Sequence, residues 1–270
     1  MRASLSSLMR IAVAVLLTAA GLLAGCATPP PKSDTEAYAA FKETNDPLEP
    51  TNRYFFEVSF GLDELLFKPI ASWYNLLLPA AVERSVHNAL TNLNGPVIFA
   101  NDLMQGSLPR AGITFKRFVI NSTVGIGGLF DVADRFGLRY HDDDFGLTLA
   151  VWGTGEGPYL FVPVLGPSNP RDLTGRGVDT VMDPWGWLLP SHLQYINYTR
   201  TVVQGVDLRA RNLDTLEQIR KGALDYYATL RSLYRQHRND QIRKFKQEKD
   251  TSLIAMPDQT AQSPQPSLSN

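Results

Sequence analysis

The sequence predicts a mainly α-helical chain interrupted by Gly/Pro-rich irregular segments. Two observations carry this reading: apolar residues of the body recur at helical spacing, and glycines and prolines crowd into residues 153–172. A chain of 270 residues that is 44% hydrophobic can bury a core. The balance of 26 Lys+Arg against 27 Asp+Glu lacks the basic excess of a nucleic-acid binder, so no nucleic-acid partner is expected. At 20% charged and 10% aromatic the chain is too apolar for a disordered polymer. A single cysteine supports neither a disulfide framework nor a structural zinc cluster.

The leader comes first. Arg2 and Arg10 precede an apolar run from Ile11 to Leu23, shorter than the roughly 20 apolar residues of a spanning helix. It ends Leu23-Ala24-Gly25-Cys26, which resembles a bacterial lipobox. The expected organisation is a lipoprotein signal peptide (1–25), a lipidated tether (26–45), a helical domain (46–249) and a disordered tail (250–270). The lipid is covalent, on Cys26, and each buried CH₂ of its chains contributes about 0.8 kcal/mol of anchoring. Ala27 stands where an inner-membrane retention signal would place Asp, which favours the outer membrane, facing the periplasm. Three consecutive prolines before Lys32 read as a stiff, extended tether.

In the body, Asp46-Pro47-Leu48-Glu49 reads as a helix start, with Asp46 capping, Pro47 at the first helical position and Glu49 reaching back. Tyr54 to Phe67 is apolar almost all round, the mark of a helix that is deeply buried or faces lipid. Pro69 is expected to end it, before Trp73-Tyr74 and Leu76 to Leu78. No segment after Cys26 reaches 20 consecutive apolar residues. A second helix is predicted from about Ser107 to Ser122, with Leu108, Ala111, Phe115, Phe118 and Ser122 on one face and a polar stripe of Arg110, Thr114, Arg117 and Asn121 on another. Two readings fit it: core on one side with water on the other, or a wall between lipid and a channel.

Gly125-Ile126-Gly127-Gly128 lacks the Lys and Ser/Thr of a phosphate loop and reads as a helix terminus or close backbone approach. Tyr159 to Leu165 is apolar and extended, but Pro163 is out of place in a central strand, so a buried irregular segment is predicted. From about Tyr198 to Lys249 one long helical pattern carries a seam of Leu213, Leu216, Ala223, Tyr227, Leu230 and Tyr234. Its many bases read as a solvated face, or as one attracted to lipid head groups or an acidic partner. Trp73, Trp152, Trp185 and Trp187 suit either core packing or a bilayer interface.

Candidate catalytic chemistry is sparse. His87, His141, His192 and His237 are scattered, and neither HExxH nor GxSxG occurs. His141 precedes Asp142-Asp143-Asp144, but successive residues rarely converge on one ion. No metal, no cofactor and no enzymatic activity are expected.

Three blocks in register resemble the MlaA (VacJ) outer-membrane lipoprotein family. They are Asp46-Pro47-Leu48-Glu49 with Asn52-Arg53; Arg117-Phe118, Asn121, Gly125, Gly127-Gly128 and Asp131; and Asp144-Phe145-Gly146 through Gly157-Pro158-Tyr159 to Arg171-Asp172. The resemblance covers roughly residues 46 to 240. It implies a ring of helices in the periplasmic leaflet of the outer membrane, around a central amphipathic channel. It further implies removal of mislocalised phospholipid from the outer leaflet, hand-over to the soluble periplasmic carrier MlaC, and association with trimeric porins. The alternatives are a structural, porin-associated envelope lipoprotein and a phospholipase. A head group crossing hydrocarbon lacks hydrogen-bond partners, so a passage needs a polar wall. Arg110, Thr114, Arg117 and Asn121 are candidates for it. Arg117 can hold a phosphate bidentately or pair with a structural carboxylate. The other motif residues are expected to be structural.

Overall fold

The structure, a computed structural model, describes residues 27–254, with side chains to residue 248; the leader, Cys26 and most of the expected tail lie outside the described residues. Helices dominate it. Half of the stretch expected as tether is the helix α1 (Thr35–Thr44), capped by Asp34, whose side chain accepts from the Ala37 amide at 3.0 Å. The Ala27 amide donates to the Pro47 carbonyl at 2.6 Å, which seats the start of the described chain against the body.

Helix α2 (Glu49–Leu62) starts later than the sequence suggests, and Asp46 does not cap it. Asp46 is buried and accepts from Asn52 Nδ2 at 2.7 Å, Arg231 Nη1 at 2.6 Å and the Tyr227 hydroxyl. Nor does Pro69 end the helix. A π-turn (Asp63–Phe67), with the Lys68 amide bonded to the Asp63 carbonyl, widens the ladder just where Pro69 lacks a donor, and α3 (Lys68–Leu77) carries on. The break comes at Pro79, which holds the preceding Leu78 in extended conformation (φ −97°, ψ 128°). There the chain turns by 119° into the long helix α4 (Ala80–Met104), and α5 (Leu108–Thr123) packs back along it. Among the described residues no single helix is long and apolar enough to cross a membrane.

Helix α6 (Phe145–Val151) crosses α7 (Pro170–Met182) at two glycines: a Cβ on Gly175 would strike the backbone of Gly146. Between them the predicted irregular segment is a short antiparallel hairpin, β1 (Leu160–Val162) and β2 (Gly166–Ser168), with Leu160 opposite Ser168. Pro163 falls in its turn, where a missing donor costs no ladder bond. The single C-terminal helix of the sequence reading is divided. After the one-turn α8 (Trp185–Leu188), α9 (Tyr195–Arg211), α10 (Leu213–Gly222) and α11 (Tyr226–Ile254) are separated at Asn212 and Ala223, so the predicted seam is shared between α10 and α11.

Only some of the bases of this segment form a solvated face: Lys221, Arg243, Lys244 and Lys246 are exposed, and others turn inward. The latter reach acids far away in sequence: Arg209 to Asp63 at 2.7 Å, Arg220 to Glu64 at 2.8 Å, Arg235 to Glu156 at 2.7 Å, Arg238 to Asp144 at 2.8 Å, and Arg200 to Asp183. The aromatic core sits beside them. Phe56 of α2 meets Phe161 edge-on at 5.4 Å and Tyr227 at 5.6 Å, and Tyr159 packs on Tyr227 at 6.0 Å. Core packing does not account for most of the tryptophans: Trp73, Trp152 and Trp187 are exposed, whereas Trp185 is half-buried and donates to the Leu93 carbonyl at 2.8 Å.

Candidate functional site

Helix α5 is inside out by the standard of a water-soluble protein. Its polar residues Thr114, Arg117 and Asn121 are buried, Arg117 to 7% exposure, whereas Leu108 is 71% and Phe115 54% exposed. The reading of core on one side and water on the other therefore fails. A guanidinium can be buried only when its donors are met. Arg117 Nη2 pairs with Asp131 at 2.7 Å and Nη1 donates to the Leu138 carbonyl. Asn121 donates to Asp131 at 3.0 Å and accepts from the Ala133 amide at 2.9 Å. Burial opposes ionisation of Asp131, but its bonds to Arg117 and Asn121 outweigh it and hold the carboxyl below its ordinary range.

The glycine segment makes this possible. After α5 ends at Thr123, the Gly128 amide bonds back to the Asn121 carbonyl at 2.8 Å, and the chain then delivers Asp131 under the helix. Gly128 has φ +92° and lies so near α4 that a Cβ would come within 2.6 Å of Asn92 Cβ. Gly127 also has φ +67°, and a Cβ on Gly125 would strike the Phe130 and Asn121 carbonyls.

Between α4 and α5 lies a cavity of about 230 Å³ with a mixed polar and apolar lining. Thr114, Arg117, Phe118, Asn121, Asp131 and Tyr140 line one side, and His87, Asn88, Thr91, Asn92 and Gly95 of α4 the other. The α4 wall was not singled out from the sequence, although its signal was present: positions 84, 87, 88, 91 and 92 are polar at helical spacing.

Arg110 is not part of this cavity's lining. It lies in a second buried polar cluster, 4.0 Å from Asp102, 3.9 Å from Asp143 and 3.7 Å from Glu248, with its guanidinium over the Phe245 ring. Thr114 links the two by donating to Asp102 at 2.6 Å, and His141 Nε2 lies 2.9 Å from Asp102. Burial pushes the Asp143 carboxyl up to about 7, against the opposing pull of Gln105 and Arg110. Asp102, His141 and Asp143 bring ligand-type atoms within 4.8 Å of one another. Arg110, however, already offers a positive charge to both carboxylates, which disfavours a divalent ion. The three successive aspartates do diverge: Asp144 caps α6 and meets Arg238, while Asp142 turns towards Tyr140.

The remaining motif residues form braces. Asn52 donates to the Tyr159 carbonyl at 3.1 Å and accepts from the Phe161 amide at 2.9 Å, so the first and third sequence blocks meet directly. Arg53 grips Asp225 at 2.5 Å and stacks over Tyr227. Gly157, with φ +72°, offers its carbonyl to Asn45 at 2.7 Å, beside a half-buried Pro158. Arg171 bonds Asp172 at 3.0 Å, and Asp172 is a hub for Arg238 and the Tyr234 hydroxyl.

Residues 44–241 match the family model described as MlaA lipoprotein. The chain is 34% identical over 226 residues to a Haemophilus influenzae protein named intermembrane phospholipid transport system lipoprotein MlaA, covering 82% of this chain and 86% of that one. It is 27% identical to the Escherichia coli protein of the same name, over 85% and 88% of the two chains. A solved structure described by the words "Structural basis for maintenance of bacterial outer membrane lipid asymmetry" superposes with a TM-score of 0.62 at 32% identity, covering 72% of this chain and 96% of that one.

Proposed function

Because the chain belongs to the MlaA lipoprotein family, we propose that it moves phospholipid within the bacterial envelope and so maintains the lipid asymmetry of the outer membrane. The observation that carries this is α5, a helix with a polar face inward on a cavity and an apolar face outward. An outward face of this kind suits hydrocarbon, and an inward one suits a head group that must not be stripped of hydrogen bonds. Thr114, Arg117 and Asn121 form the proposed polar wall, with Arg110 behind it through Asp102. Arg117 meets a lipid phosphate by sharing the guanidinium that Asp131 now holds. The reaction is transport without bond chemistry.

In the finer reading the protein sits in the periplasmic leaflet, anchored through Cys26 and arranged as a ring. It takes misplaced phospholipid from the outer leaflet, gives it to a soluble periplasmic carrier, and works beside a trimeric porin. The exposed apolar residues of α2, the π-turn and α3, among them Tyr54, Leu65, Trp73, Leu76 and Leu77, support immersion in lipid. The test is surface-exposed phospholipid in a strain lacking this protein. It should rise, return to normal with the wild type, and stay high with a Cys26→Ala form. Unchanged surface phospholipid in the deletion strain would sink the reading.

A further inference from the structure

Successive residues along one face of α4 line two chambers. Ala80, Glu83 and Arg84 line an open chamber of about 540 Å³, together with Tyr74, Asp207 and Arg211. At the next turn of the same face His87 begins the 230 Å³ cavity described above, which continues past Thr91 to Gly95. The spacing of three and four residues makes this one continuous stripe. At a rise of about 1.5 Å per residue it is on the order of 20 Å long, enough to cross one leaflet's hydrocarbon.

A hydrogen bond ties the lining of one chamber to the lining of the other. His87 Nδ1, which lines the smaller cavity, lies 2.8 Å from Oδ2 of Asp207, which lines the larger. The halves of this bond are unequal. Asp207 is buried and held also by the Tyr74 hydroxyl at 3.2 Å and Arg211 Nε at 3.2 Å, whereas the His87 side chain is 44% exposed. If the imidazole swings away, Asp207 keeps two partners and His87 finds water, so no buried charge is orphaned by the movement.

We propose that His87 and Asp207 form the gate between two chambers of one passage, and that its occupant is an amphiphile with a phosphate head group. The identity of the occupant rests on the transport reading above; the gate itself does not. Opening removes the imidazole from the path, joining a vestibule of mixed charge, with Arg84 and Arg211 beside Glu83, Asp207 and Asp214, to the Arg117 wall.

The experiment uses the full-length lipidated protein in bilayers, with Thr91→Cys as a reporter in the inner chamber and a bulky, charged, membrane-impermeant thiol reagent as probe. The parent without Thr91→Cys gives the background, and denatured protein the maximum rate. His87→Ala is expected to speed labelling roughly tenfold, the scale of one charge-assisted hydrogen bond. His87→Trp is expected to slow it, and His87→Gln to stay near the parent rate. Equal rates in the Ala and Trp variants, or an Ala variant that labels at the denatured rate, overturn the gate. Labelling reads access to the inner chamber and not lipid movement, so a failure of phospholipid transport in cells would sink the occupant while leaving the gate standing.

Discussion

Asn52 and Tyr159, 107 residues apart in sequence, are joined through the Tyr159 carbonyl, and Asn52 closes the pair by accepting from the amide of Phe161. A single buried amide thus pins α2 to the β-hairpin and also holds Asp46. Replacing it leaves a carbonyl, an amide and a carboxylate each short of a partner. Asn52→Ala should therefore cost roughly 2–4 kcal/mol, read as a lowered midpoint of chemical unfolding in detergent. A change within experimental error would show that water replaces the amide.

Arg117 separates a structural role from a transport role. Arg117→Lys keeps the charge near Asp131 but loses the planar fork. If the phosphate contact is right, this variant stays folded and clears surface phospholipid several-fold more slowly. Wild-type clearance by both the Lys and Ala variants in a stable protein would confine Arg117 to its bond with Asp131.

Gly128→Ala should damage the fold before it damages transport, because the added methyl meets Asn92 and the residue holds φ +92°. The expected signature is a loss of roughly 1–3 kcal/mol in stability with proportionally less protein in the membrane. Normal stability with lost transport would reverse that assignment.

Two buried aspartates should respond to pH in opposite ways. Burial works against the Asp172 carboxylate, but Arg238 and Tyr234 outweigh it and hold its carboxyl below the ordinary range. Its stabilisation is therefore complete above the unfolded value near pH 4 and is lost as pH falls further. Asp143 is raised to about 7, so it favours the folded state at low pH and withdraws that contribution as pH climbs from about 4 to 7. Unfolding midpoints across this window should flatten in Asp143→Asn. In Asp172→Asn the acid-side loss should disappear. An unaltered profile in both would refute the assignments.

Phe115 is exposed on the outer face of α5. In a Cys26→Ala background, Phe115→Lys should leave the fold intact but weaken retention on vesicles, since a lysine in hydrocarbon costs roughly 2.5–3.5 kcal/mol. Sedimentation with liposomes measures it, and undiminished retention would place this face away from lipid.

Much of this was legible in the residues. The stripe Arg110, Thr114, Arg117, Asn121 followed from spacing, but periodicity tells which side chains share a face, not which solvent each face meets. Its inversion needed the burial of Arg117 beside exposed Phe115 to be seen. Arg110 shared the stripe yet left the cavity, because Asp102 and Asp143 captured it. Asp46 looked like a cap since capping is local, whereas its partners Tyr227 and Arg231 lie far down the chain. The Arg209–Asp63 and Arg220–Glu64 ties were hidden for the same reason. Pro69 misled because a π-turn one step upstream can absorb a proline, and no short pattern announces one.

The outward apolar side of α5 also bears on the molecule's biography. A polypeptide that wears its oil on the outside cannot travel through an aqueous compartment bare: it must be sheathed by a chaperone or delay its final shape until it lands. On the proposed immersion in lipid its native state is a joint property of chain and bilayer, and purification without an amphiphile should yield self-associated material instead of monomer.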